Sequence, residues 1–300
     1  MKKIFYPLIA AATLTTLAAC NPASESKTVA PTSTAAEQDI SATILADVLS
    51  AQSPEAQARF PARNPQQVLQ FFDLKPGMTV IEALPGGGWY SKILLPYLGS
   101  KGHLIGADYA ADMFPKFGFF SEERLEAKKT WVRTWTAEAE GWRTDADASV
   151  RAYQMNSMPS GMNGTADAIV FIRALHNLAR FENDGGYLTE TLSEAYKALK
   201  SGGIVGVVQH QAPDDASDEW ADGSKGYLKE SFVIEHMQAA GFEYVGSSDI
   251  NLNPADQPTA DDIVWRLPPS YATSGDNAEL KATYTAIGES NRMTLKFRKP

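Results

Sequence analysis

From residue 40 onward the chain alternates between two hydrophobic rhythms. Ile40 to Leu49 and Gln66 to Phe72 carry apolar residues at helical spacing, and Asn64-Pro65 is a good cap and first-turn pair for the second. Two lead-in helices are therefore expected. Lys75-Pro76-Gly77 then makes a turn, Met78 to Ala83 is a short β-rich apolar run, and Pro85-Gly86-Gly87-Gly88 breaks it before a helical stretch from Trp89 to Leu98. The unit recurs. His103 to Ala107 reads as a second strand ending at Asp108, Val150 to Met155 as a third, Ala166 to Ile172 as a fourth and Ile204 to Val208 as a fifth. Helical segments lie between them, notably Glu122 to Glu140 and Tyr187 to Leu199, and Gly241 to Ser247 and Met293 to Arg298 add two more strands. Strands alternating with helices imply an α/β fold, a mostly parallel sheet with helices on both faces. No repeat of solenoid length interrupts the pattern.

The first forty residues have a different texture. Met1-Lys2-Lys3 is basic, Ile4 to Ala19 is an uncharged, largely apolar run, and small residues lead up to Cys20, the layout of a secretory signal. The run is too short to be read as a permanent membrane span. Leu17-Ala18-Ala19-Cys20 resembles the lipobox of bacterial lipoproteins, which implies cleavage before Cys20 and lipidation of its thiol. Cys20 is the only cysteine, so no disulfide partner exists for it within the chain. Asn21 to Gln38 is rich in Ala, Ser, Thr and Pro and reads as a tether. The expected organisation is a signal peptide over 1–19, a lipidated cysteine and tether over 20–39, and one domain over 40–300. The expected location is outside the inner membrane, anchored on the periplasmic side at the outer membrane, with the lipid as the sole membrane contact.

Charge narrows the choice of partner. Lys and Arg number 27 against 36 Asp and Glu, a net charge of −9, and no basic cluster tracks a phosphate backbone. Nucleic acid is excluded as the expected partner, and a small molecule takes its place.

Candidate chemistry emerges from position. Glu82, Asp108, Asn156, His176 and His210 each fall at or within a few residues of the carboxyl end of a different expected strand, where open parallel sheets bind ligands. Glycines 86 to 88 let a backbone approach a ligand closely, and the following helix directs amide groups toward it. Asp108 lies 20 residues beyond Gly88, a spacing at which an acidic side chain accepts hydrogen bonds from ribose hydroxyls. Val80-Ile81-Glu82 through Gly86-Gly87-Gly88-Trp89-Tyr90-Ser91, followed by Asp108, resembles motifs I and II of class I S-adenosylmethionine-dependent methyltransferases. More narrowly it is similar to exported methyltransferase-like proteins with a Pro-Gly-Gly-Gly-Trp-Tyr loop. That likeness extends through Arg173 to Asn177, Val208 to Gln211, Trp265 to Pro269 and Gly288 to Pro300.

The resemblance implies a Rossmann-like sheet of order 3-2-1-4-5-7-6 with an antiparallel seventh strand. It places Glu82, Pro85 and Gly86 to Gly88 on the methionine end of S-adenosylmethionine, Asp108 on the ribose and Asn156 near adenine. Leu84 departs from the family pattern, standing where its first glycine usually is. His176 and His210 are the candidate bases, with a hydrogen-bonded structural role as the alternative for each; His103 and His236 are read as structural. Tyr90, Phe117, Arg173, Asn177, Trp265 and Arg266 are candidates for the acceptor pocket or its lid. For the aromatic stretch Met113 to Phe120, and for Trp131 and Trp135, packing is the favoured reading. The histidines show no local metal-ligand spacing, so no metal is assigned. Two functions stay open, a methyltransferase acting on a small, partly apolar acceptor and a non-catalytic protein of the same fold that binds an adenosine-type ligand.

Overall fold

The computed structural model describes residues 1, 2 and 35–300. The expected signal segment, Cys20 and the tether up to residue 34 lie outside the described residues. Four helices lead in: α1 (Ala35–Ser50), α2 (Pro54–Gln57), α3 (Phe60–Arg63) and α4 (Pro65–Phe71). This is two more than helical periodicity indicates, because α2 and α3 are single turns started by Pro54 and Pro61 and are too short to show a period. Next come β1 (Thr79–Ala83), α5 (Ser91–Leu98), β2 (His103–Asp108), α6 (Glu122–Lys129), α7 (Trp131–Glu140) and β3 (Ser149–Gln154). The expected helix from Glu122 to Glu140 is thus two helices meeting at Thr130. After them follow β4 (Ala166–Ile172), α8 (Leu175–Arg180), α9 (Glu182–Gly185), α10 (Tyr187–Ala198) and β5 (Leu199–His210). The chain ends with α11 (Glu230–Ala239), β6 (Glu243–Ser248), α12 (Ala278–Ile287) and β7 (Arg292–Arg298).

The strands form one seven-stranded sheet of order β3-β2-β1-β4-β5-β7-β6, as the resemblance implies. Pairings among β1 to β5 are parallel, and β7 lies antiparallel between β5 and β6. Successive strand side chains point to opposite faces, and here both faces are covered. Val80 joins a core with Leu45, Val68, Leu94 and Trp135, whereas its neighbour Ile81 joins another with Leu175, Leu192, Val233 and Leu295. This explains why the strands read as continuous apolar runs.

Two consequences of the topology locate the site. Strand order reverses between β1 and β4, opening a crevice at their carboxyl ends. An antiparallel β7 must start where the parallel strands finish, so Arg292 pairs with His210 in register and the residues just before β7 arrive at the same crevice. Since β6 is antiparallel to β7, it runs with the parallel strands, and the irregular segment after it also leaves on this side.

Candidate functional site

A cavity of about 560 Å3 occupies the crevice. Its polar lining comes from five neighbouring strands in sheet order: Asp108 ends β2, Gly86 follows β1, Arg173 and His176 follow β4, His210 ends β5, and Ser290 with Glu289 precedes β7. At roughly 4.8 Å per strand step, the row extends about 19 Å. Leu84, Trp131, Ile172, Val264, Trp265 and Pro268–Pro269 supply the apolar walls.

The loop after β1 is built on left-handed backbone. Leu84 has φ 56°, Gly86 φ 54° and Gly88 φ 76°. Leu84 thus adopts the conformation for which glycine is suited, and keeps its side chain at the cavity wall. A β-carbon on Gly88 would lie 2.4 Å from the Trp142 ring, so that glycine is required by packing; one on Gly86 would meet nothing closer than 3.9 Å. Of the loop, Gly86 and Leu84 line the cavity, and Pro85, Gly87 and Gly88 do not.

Glu82 and Asp108 part company. Asp108 lines the cavity; its Oδ1 accepts from the Tyr109 amide at 2.9 Å and its Oδ2 from Lys128 Nζ at 2.9 Å. Burial pushes the Asp108 carboxyl up, with Lys128 pulling the other way. Glu82 lies beneath the loop, away from the lining, where its Oε2 accepts from the hydroxyl of Ser91, the first residue of α5, at 2.6 Å. Burial raises it to about 7. In this structure Glu82 makes its contact under the loop, at the start of α5, and is not part of the cavity wall. Asn156, expected near adenine, is exposed with φ 65°, its amide bonded to Glu194, and does not line the cavity.

The two histidines come together with their rings 5.7 Å apart, and the Trp265 ring lies 5.7 Å from His176. Gln209 sets the state of His176. Its Nε2 donates to the Gly226 carbonyl at 3.0 Å, which leaves Oε1 to accept from His176 Nδ1 at 3.4 Å. The proton of a neutral ring is thereby assigned to Nδ1 and the lone pair to Nε2. Burial lowers His176 to about 4, so the ring is neutral near pH 7. Burial likewise depresses His210, with the neighbouring His176 adding to it, and its Nδ1 lies 2.6 Å from Ser290 Oγ.

Asn177 lines the cavity and donates from Nδ2 to the Tyr109 hydroxyl at 2.8 Å. Trp265 is part of the wall, but Arg266 is turned into the protein, paired with Asp256 at 2.7 Å and Asp262 at 3.2 Å, and donating to Tyr227 at 2.7 Å. It clamps the segment rather than covering the acceptor. Phe117 packs among Tyr109, Phe119, Phe120 and Phe181, outside the lining, so the aromatic stretch is packing. Tyr90 is buried against Trp89, also outside it. Trp135 is core as expected, whereas its stacked partner Trp131 is part of the cavity wall. His103 bonds Ser149 and His236 bonds the Phe232 carbonyl. Among the described residues no group of three or more His, Cys, Asp or Glu side chains is arranged to hold a metal, and no helix is long and apolar enough to cross a membrane.

Sequence reasoning missed the charged cluster at the β7 end. Glu289 accepts from Arg59 at 2.6 Å and 3.2 Å, from Arg63 at 3.1 Å and 3.3 Å, and from Arg292 at 3.0 Å. Burial alone would raise Glu289, but Arg63, Arg292 and Arg59 hold its carboxyl below the ordinary value. Arg63 also lies over the Trp89 ring at 4.6 Å. Arg59 and Arg63 are 230 and 226 residues from Glu289, a separation that leaves no local signal in a sequence.

No protein-family model matches the chain, and no curated protein matches its sequence. Among solved structures it is similar to geranyl diphosphate C-methyltransferase from Streptomyces coelicolor A3(2), crystallised with Mg2+, geranyl diphosphate and S-adenosyl-L-homocysteine. The TM-score is 0.50 and the identity 12%, over 81% of this chain and 82% of that one. It also resembles a SAM-dependent methyltransferase from Aquifex aeolicus, with a TM-score of 0.44 and 19% identity over 69% of this chain and 93% of that one. For the cyclase SpnF the TM-score is 0.47 and the identity 16%, over 91% and 97%. At such identities the likeness speaks of architecture alone, and the shared architecture is a Rossmann-like seven-stranded sheet of the methyltransferase fold.

Proposed function

We propose that the chain is an exported, lipid-anchored methyltransferase that uses S-adenosylmethionine and acts on a small, partly apolar acceptor. The observation that carries this reading is the convergence of Gly86, Asp108, Arg173, His176 and His210 on one cavity across the strand switch point. Export rests on the basic, apolar and small-residue layout before Cys20.

The residues present fit the cofactor. Gly86 leaves open space beside the loop, Trp131 and Leu84 give an apolar wall, and Asp108 places a carboxylate at the end of β2 for ribose hydroxyls. Lys128 occupies one oxygen of that carboxylate, but its side chain is 28% exposed, and a partly exposed ion pair is worth only about 0–1 kcal/mol. Hydroxyl donors can displace it. When bound, the cofactor supplies an electrophilic methyl on a sulfonium sulfur. The protein's part is alignment of a nucleophile with that methyl in a site walled from water. Where the acceptor carries a proton, neutral His176 offers its Nε2 lone pair. A base of such low affinity for protons suits an acceptor that becomes acidic only as transfer proceeds.

A second reading, ligand binding without turnover, is favoured by one observation, the Lys128 ammonium already seated on Asp108. Thermal denaturation of the full chain with S-adenosylmethionine or S-adenosylhomocysteine addresses both. At 100 times the dissociation constant a ligand stabilises by about 2.7 kcal/mol, which for a domain of this size is roughly 5–10 °C. Asp108→Ala should abolish the shift. No shift for either compound at millimolar concentration would refute both readings, and binding with no methylated product from any acceptor would leave the second.

A further inference from the structure

Four guanidinium groups gather at the β7 end of the cavity around one carboxylate. Arg59, Arg63 and Arg292 all bond to Glu289, which leaves that carboxylate saturated. Arg173, the fourth, is within electrostatic range of Glu289 yet makes no hydrogen bond or ion pair with its side chain to any described residue. It lines the cavity. Burial works against its charge, Glu289 supports it at a distance and the neighbouring Arg292 opposes it, so an anion in direct contact would be favoured. Arg292 Nε, within the same cluster, is buried without a partner.

The backbone adds a second line of argument. Arg173 sits immediately after β4 with φ 58°, a conformation that side-chain-bearing residues adopt at a cost, and its amide is fixed to the Val208 carbonyl at 2.6 Å. The strained turn holds at the cavity a guanidinium that forms no side-chain hydrogen bond or ion pair with any described residue, Glu289 acting on it only at a distance.

We infer that the β7 end of the cavity is a carboxylate subsite, in which Arg173 grips the acid group of an apolar organic acid whose hydrocarbon body rests on Trp265 and the Pro268–Pro269 wall. A guanidinium fork matches a planar carboxylate with two parallel hydrogen bonds. Glu289 lies at the same end and opposes a doubly charged group, which selects a monoanion over a phosphate monoester. The inference rests on the methyltransferase reading in one respect only, in that it names this acid as the methyl acceptor.

The test uses the full chain and three probes of similar shape: benzoate, benzamide and phenyl phosphate, titrated by calorimetry alongside S-adenosylhomocysteine. Benzoate should bind at least about 10-fold more tightly than benzamide, since charge-assisted hydrogen bonds account for about 10- to 100-fold. Arg173→Gln should erase that preference while S-adenosylhomocysteine binding and the melting temperature persist. Arg173→Lys, which keeps the charge without the fork, should retain part of it. Equal binding of benzoate and benzamide, a preference that survives Arg173→Gln, or tighter binding of phenyl phosphate than of benzoate would each overturn the assignment. If benzoate binds through Arg173 but the adenosyl compound does not bind at all, the acid subsite stands and the methyltransferase reading falls.

Discussion

Replacing Glu289 with Gln removes the one carboxylate that three arginines share. Arg63 and Arg292 are 4% and 3% exposed, so neither can recover its lost partner from bulk water without moving. Breaking a buried ion pair from one side costs about 3–5 kcal/mol, because the remaining charge is left uncompensated. Two nearly sealed guanidiniums and the half-covered Arg59 place Glu289→Gln toward the upper part of that range. In a domain of this size, about 2–4 °C of melting temperature accompanies each kcal/mol, which gives a loss of roughly 10–20 °C. Differential scanning calorimetry from pH 3 to 8 reads both size and sign. Because the carboxyl is held below its ordinary value of 4.5, its contribution is full above that value and is lost as the pH falls through the lower folded-state value. The gap between parent and variant should therefore be constant near neutrality and close in acid. A melting temperature within about 2 °C of the parent at pH 7 would refute the view that Glu289 holds the cluster, as would a gap that widens on acidification.

Other outcomes follow from the same geometry. Lys128→Ala frees Asp108 for a ribose and should tighten S-adenosylhomocysteine binding up to about fivefold by calorimetry; weaker binding would make Lys128 a ligand contact. His176→Ala should reduce turnover while leaving cofactor affinity within about twofold, measured by product formation and titration on one preparation; unchanged turnover would return His176 to a structural role. Glu82 is buried and raised from 4.5 to about 7, so its cost to stability appears as the pH climbs through that window. Glu82→Gln should gain on the parent by up to about 3 kcal/mol between pH 4.5 and pH 8 in denaturant titrations, and no gain would mean that Glu82 is relieved of its charge penalty by another route.

The sheet was legible because its central strands β1, β2 and β4 are buried on both faces and so read as apolar runs between breakers, and the cavity-lining Asp108, His176 and His210 were picked out by their position after such runs. Strand-end position does not report which way a side chain turns. Glu82 precedes the loop by two residues and ends beneath it, and Arg266, next to wall-forming Trp265, folds back onto Asp256. Trp131 and Trp135 share a helical spacing, and only tertiary packing decides that one is core and the other cavity wall. Arg59 and Arg63 reach the local Glu289–Arg292 pair through tertiary closure, for which no periodicity or spacing stands proxy.

An antiparallel last strand gives the cavity a timetable. Synthesis runs from the amino end, so the guanidiniums of the lead-in helices exist before the carboxylate that they surround, and until β7 inserts between β5 and β6 they lack that partner. The binding chamber is finished by residues made after the other six strands, and ligand capture would act as a report that the whole sheet has closed.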